Sequence, residues 1–181
     1  MEVQHLNVKI FAADSARVDP GLAIPVFHRW IQSNALPELL IDVADYRHVP
    51  DGPGVLLVAH EAIYSLDSTG GRLGLLYNRR AAEEGSFEEK LERAYSSALA
   101  AARLLEREPE FAGGLRFAPG LCEVIFNDRL LTPNDGATAE LLRPRVEAFF
   151  ARCWNQPEAR ATQAGEPRER LRFVVHAPAF Q

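Results

Sequence analysis

Glu38 to Arg80 reads ELLIDVADYRHVPDGPGVLLVAHEAIYSLDSTGGRLGLLYNRR, three apolar runs joined by two turn signals. Pro50-Asp51-Gly52-Pro53 is the first signal and Ser68-Thr69-Gly70-Gly71 the second; Gly, Pro, Asp and Ser each favour a tight reversal for a separate steric or hydrogen-bonding reason. Links this short predict an antiparallel meander over 38–80, with strands at 39–49, 55–66 and 73–79.

The turns also predict a register. If Val49 faces Gly54, then Asp42 faces Glu61, and a second turn at Ser68–Gly71 sets Glu61 opposite Asn78. Asp42, Glu61 and Asn78 then form one row across the sheet. Two carboxylates side by side on neighbouring strands are unfavourable unless compensated. Such a pair can bind a divalent cation, or share a proton and raise one pKa into the general-acid range. Tyr46, His48 and Arg80 fall on the same face and can supply further contacts. In the simpler reading, Arg80 or another arginine neutralises the pair.

Side-chain alternation divides the meander into two faces. Leu39, Ile41, Val43, Leu56, Val58, Ala62, Tyr64, Leu66, Leu73, Leu75 and Tyr77 share one face, the predicted core, and His60 shares their parity. His60 therefore reads as a neutral, hydrogen-bonded core residue, or as a ligand if a pocket opens on that side. It cannot act with Glu61, which points the opposite way on the same strand. The other face mixes Leu40, Leu57, Ala59 and Ile63 with the polar row. That mixture suits a face covered in part by a helix, a partner or a ligand.

Working outward, Asp19-Pro20 begins a helix over 20–33, and Ser86 with Glu89 forms a capping box that opens a helix over 86–107. A third helical pattern covers 136–153; Pro144 within it predicts a kink or a later start. Val3–Ala12 and Leu171–Ala177 read as strands. Leu115–Phe126 reads as short strands around an Ala118-Pro119-Gly120 turn, with Asn127-Asp128 returning Arg129-Leu130-Leu131 alongside. The polar stretch 155–170 reads as a mobile loop. Together these elements predict a single α+β domain, a mostly antiparallel sheet with three helices packed mainly on one face. A pair of ferredoxin-like halves is the alternative.

Composition narrows the function classes. The chain has 181 residues, 47% hydrophobic and 25% charged, as in an ordinary globular domain. Its net charge of −5, with acidic and basic residues interspersed, argues against a nucleic-acid partner. Cys122 and Cys153 lack a CxxC spacing and read as buried free thiols in a reducing compartment. There is no signal-peptide pattern and no apolar run of the roughly 20 residues a membrane helix needs. The expectation is a cytoplasmic protein with no membrane contact. No nucleotide, zinc or nucleophile-elbow motif is present, so no cofactor is indicated.

The segments VFHRWIQ, LLIDVADYRHVPDGPG and GRLGLLYNRR resemble a bacterial protein family. That resemblance carries no activity, ligand or residue role. From the residues alone, the preferred expectation is a non-enzymatic binding or interaction module. It would use the mixed face for self-association as a homodimer, for a partner protein or for a small ligand. The alternative is a small hydrolase or lyase, with or without a metal ion, in which Asp42 and Glu61 are catalytic and Asn78, Tyr46, His48, Arg80 and His60 contact the ligand. A third option is a cofactor pocket between sheet and helices formed by His60, Tyr64 and Trp30.

Overall fold

A computed structural model describes residues 3–13, 18–111 and 113–178. Its strands are β1 (Leu6–Ala12), β2 (Leu40–Asp45), β3 (Val55–Ala59), β4 (Ala62–Asp67), β5 (Gly74–Arg79), β6 (Phe117–Phe126), β7 (Arg160–Ala164) and β8 (Arg172–His176). The helices are α1 (Ala23–Ser33), α2 (Phe87–Leu105) and α3 (Gly136–Cys153). All eight strands join one sheet in the order β2-β3-β4-β5-β1-β6-β8-β7, every neighbouring pair antiparallel. The expected α+β architecture is therefore present, with helices packed against an antiparallel sheet.

The chain winds through this sheet in two similar halves. In the first, β1 leads through α1 to the edge strand β2, and a meander returns to β5 beside β1. In the second, β6 leads through α3 to the opposite edge strand β7, and β8 returns beside β6. α2 joins the halves, and β1 and β6 lie together at the centre. Each half is thus a strand, a helix and a returning meander, not the βαββαβ of a ferredoxin-like unit.

Alternation on β1 sets the layers. Leu6, Val8 and Ile10 are buried against the helices, continuing sideways through Leu75 and Tyr77 to Cys122 and Val124. α2 lies over β1 and β5 with Leu91, Ala94, Ala98, Ala101 and Leu105 inward. Its N-terminus carries the predicted capping box: Ser86 Oγ accepts from Glu89 N, and the Glu89 carboxylate accepts from Ser86 N at 2.7 Å. α1 packs on β2 and β3 through Val26, Phe27 and Trp30, and the Trp30 indole donates to Glu108 at 2.6 Å. α3 covers β7 and β8. It is continuous from Gly136, with Pro144 on its exposed side, where the missing N–H removes no core contact.

Several sequence expectations change. The run 55–66 is not one strand: it folds back at His60-Glu61, so β3 and β4 pair with each other, Val58 opposite Ile63. The reversal has no Gly, Pro or Asn. It is held from outside, by His60 N donating to the Leu39 carbonyl at 2.9 Å and by Glu61's carbonyl accepting from Arg80 N at 2.9 Å. This extra hairpin inverts the faces upstream of it. Leu57 and Ala59 are core, Leu56 and Val58 are only partly covered, and Leu39 and Ile41 are exposed at 65% and 53%. A bulge at Ile41 shifts the β2–β3 register as well.

Elsewhere, Ala118-Pro119-Gly120 does not end a strand. β6 runs through it, and the irregularity is absorbed as a register shift against β1. Arg129-Leu130-Leu131 forms a turn, not a strand. The stretch expected to be a loop contributes β7, whose sequence RATQA has a single β-branched residue, Thr162, and no aromatic one, a weak strand signal.

Candidate functional site

The residues expected to form the carboxylate row are not brought together. Asp42 pairs with Val58 across β3, is exposed, and accepts a hydrogen bond from the neighbouring Val43 N at 2.8 Å. Glu61 sits at the hairpin tip and pairs with Arg79 Nη1 at 2.9 Å, so an arginine does neutralise it, though not Arg80. Asp42, Val58, Ile63 and Asn78 share one row, but three strand spacings, roughly 14 Å, separate Asp42 from Asn78. His60 is exposed at the hairpin tip instead of lying on the core face, whereas Tyr64 and Trp30 are buried. Tyr46 and His48 stack at 6.2 Å in the turn after β2, and Arg80 is exposed beyond the end of β5. Of this set, Tyr46 lines a cavity beside Asp19 and Arg47 at the edge of the first half, and Asn78 enters a polar cavity at the centre of the sheet.

That cavity lies on the face of the sheet opposite the helices, at the junction of the two halves. Two polar rows cross its floor. One reads Asn78, Asn7, Ile125, Arg172 and the other Leu76, Lys9, Glu123, Val174, in the order β5, β1, β6, β8. No helix covers these rows among the described residues, yet Asn7 is 0% and Lys9 3% exposed. Turns raise walls around them instead. Asp51 and Pro53 come from the β2–β3 connection, Thr69 from the β4–β5 connection, and Arg170 from the approach to β8. The enclosed volume is about 330 Å³, near the lower end for small-ligand pockets.

Charge in the cavity is paired but not exhausted. Lys9 Nζ forms a buried ion pair with Asp67, and Asp67 also accepts from Thr69 Oγ1 at 2.8 Å. Gly74 makes the Lys9–Asp67 contact possible, because the lysine stem crosses directly over it. A Cβ there would lie 2.8 Å from Lys9 Cε and 2.7 Å from the Ile10 carbonyl oxygen. Burial pushes the Glu123 carboxyl above its ordinary value; Arg172 and Lys9 oppose that shift and Asp67 adds to it. Arg172 Nη1 stands 3.5 Å from Glu123 and its Nη2 donates to Glu169 at 2.7 Å.

The floor holds unused hydrogen-bonding capacity. Both Nδ2 and Oδ1 of Asn7 are buried without a partner, and so are Asn78 Oδ1 and Arg172 Nε. An unmade buried polar group costs about 1–3 kcal/mol, so several in one place mark a site whose groups serve something other than the fold. Sequence alternation carried a signal for this floor: in LNVKIFA, Asn7 and Lys9 interrupt one side of an otherwise apolar strand. Arg168-Glu169-Arg170-Leu171-Arg172 likewise places three arginines at period two.

A second cavity, of about 370 Å³, lies between α2 and β6 and includes Tyr95, Leu99, Phe117, Cys122, Cys153 and Trp154. It is larger but chemically quieter. Trp154 Nε1 donates to Tyr95 Oη at 2.8 Å, and burial raises the Cys122 thiol well above its ordinary value, away from the reactive thiolate. Cys122 is buried as expected, whereas Cys153 is exposed. Among the described residues, no group of three or more His, Cys, Asp or Glu side chains is arranged to hold a metal ion. Among the described residues, no helix is long and apolar enough to cross a membrane.

Neither a scan against protein-family models nor a search of curated proteins finds a match to this chain.

Proposed function

We propose that this protein is a cytoplasmic, non-enzymatic binding module that holds a small polar ligand in the cavity of the helix-free sheet face. The single observation carrying this reading is the Asn7 side chain, fully buried on the cavity floor with both amide heavy atoms unpartnered. An apolar residue would satisfy the fold better there. A ligand offering one acceptor and one donor would complete both amide atoms. The two free cysteines agree with a reducing compartment.

Native mass spectrometry of the purified protein, beside an Asn7→Val variant, tests the reading. A small molecule should accompany the wild type, and adding it back should raise Tm. At a concentration of about 100 Kd the expected stabilisation is about 2.7 kcal/mol, or roughly 5–11 °C for a domain of this size. If no molecule in a broad metabolite panel shifts the wild-type Tm more than that of Asn7→Val, the reading falls.

A hydrolase or lyase is the second reading, because the cavity contains a buried carboxyl with a raised pKa beside a second carboxylate, Glu123 near Asp67. In that case Glu123 would be the acid or base, replacing the Asp42–Glu61 pair. Glu123→Gln should then abolish turnover of the bound molecule while retaining its binding.

A further inference from the structure

We infer that the ligand is a small phosphomonoester. Its phosphate would lie at an arginine-lined mouth and its uncharged polar part against Asn7 and Asn78. This inference rests on the polar cavity being the binding site. The cavity continues outward into a second space of about 300 Å³, and the two share Thr69, Arg170 and Arg172. In the outer space four guanidinium groups, from Arg129, Arg168, Arg170 and Arg172, face one carboxylate, Glu169. This is a local reversal of sign in a chain whose net charge is −5.

Partnering within the cluster shows which groups remain free for an anion. Glu169 already accepts from Arg172 Nη2 at 2.7 Å, and Arg170 donates to Asn127 Oδ1 at 2.8 Å. Arg129 and Arg168 are exposed and form no ion pair among the described residues. On the inner side Asp51, Asp67 and Glu123 also line the cavity; Asp67 is engaged by Lys9 and Thr69, and Glu123 stands beside Arg172.

The cluster draws on separate parts of the chain. Arg129 comes from the turn after β6, Arg168 and Arg170 from the β7–β8 connection, and Thr69 from the β4–β5 connection. Donors converging from three segments suit a tetrahedral dianion better than a planar carboxylate, which one guanidinium fork satisfies. Deeper in, the amides of Asn7 and Asn78 offer both a donor and acceptors, as hydroxyl groups require. A phosphorylated, hydroxylated small molecule matches both ends.

Isothermal titration at constant ionic strength tests this with inorganic phosphate, ribose 5-phosphate and ribose. The proteins compared are the wild type, Arg168→Ala/Arg170→Ala and Asn7→Val, with circular dichroism checking each fold. Phosphate and ribose 5-phosphate should bind the wild type, and the double arginine variant should bind each about tenfold or more weakly, the loss expected for removing a charge-assisted hydrogen bond. Asn7→Val should weaken ribose 5-phosphate but leave inorganic phosphate unchanged. If neither phosphate compound binds better than chloride, while uncharged ligands still bind and lose affinity in Asn7→Val, the phosphate assignment is wrong and the cavity reading stands. If nothing binds and Asn7→Val changes nothing but stability, both fall.

Discussion

Asn7→Val is the substitution that most directly separates structure from function in this molecule. Asn7 is completely buried between Asn78 on β5 and Ile125 on β6, and two of its polar atoms lack partners. Each unmade group costs about 1–3 kcal/mol. Valine removes both and adds a β-branched side chain, which strands favour on a scale spanning about 1 kcal/mol. Against this stands overpacking, typically about 1–3 kcal/mol, reduced here because the side chain faces a cavity and not a filled core. The balance is a gain of about 2 kcal/mol, which for this chain length raises Tm by roughly 4–8 °C. Urea unfolding followed by both tryptophan fluorescence and circular dichroism measures it, since Trp30 and Trp154 pack in or against the core. Ligand binding should be lost at the same time. A variant destabilised by more than about 1 kcal/mol would refute the reasoning, because it would mean that the amide is satisfied within the folded protein.

Three other perturbations bear on the same floor. Lys9→Met leaves Asp67 buried without its cation and should cost about 3–5 kcal/mol, whereas Lys9→Met/Asp67→Leu should recover most of that loss in urea titrations; equal stability of both single and double variants with wild type would remove the pair from the account. Gly74→Ala should destabilise by about 1–3 kcal/mol, because its Cβ meets the Ile10 carbonyl at 2.7 Å as well as the lysine stem, and a shifted Lys9 signal in NMR would identify the cause. Glu123 has a folded-state pKa raised above the ordinary 4.5, so the native state binds more protons than the unfolded state, and its contribution to stability is complete below 4.5 and lost as pH rises through the folded value. The stability advantage of Glu123→Gln over wild type should therefore grow as pH rises above 4.5, and a pH-independent difference would contradict the burial argument.

The helices were legible because their signals are local. Ser86 and Glu89 set a capping box within one turn, and Asp135 accepts from Thr138 N to open α3 at Gly136. The meander was legible only where a turn carried its own chemistry. Gly54 sits at positive φ after the Pro50–Pro53 turn, and a Cβ there would collide with the Leu66 carbonyl. The Ala59-His60-Glu61-Ala62 reversal has no such residue. Its hydrogen bonds come from Leu39 and Arg80, so it is a product of neighbouring strands, invisible to a reading of its own sequence. Because side chains alternate with period two, that single missed reversal moved Leu57 and Ala59 to the wrong face and built a carboxylate row that does not form. Asn78 kept its place because it lies downstream of the error; its partner in β4 is Ile63, displaced by two residues from Glu61, and a two-residue shift preserves the face.

The placement of the cavity follows from the way the two halves meet. Each half buries one face of its strands under its own helix, and α2 lies over β1 and β5 on that side. On the other side no helix covers these strands among the described residues, so β1 and β6 present Asn7, Lys9 and Glu123 together. Connections between strands then surround these residues with Asp51 and Thr69 from the first half and Arg170 from the second, beside Arg172 at the start of β8. A site assembled this way takes its floor from the centre of the sheet and its walls from loops, the division that lets binding groups vary without disturbing the core. It also explains why charges on the helix-free face, ordinarily solvated, are buried here: the walls exclude water from the Lys9–Asp67 pair, and that exclusion strengthens any interaction a ligand makes beside it.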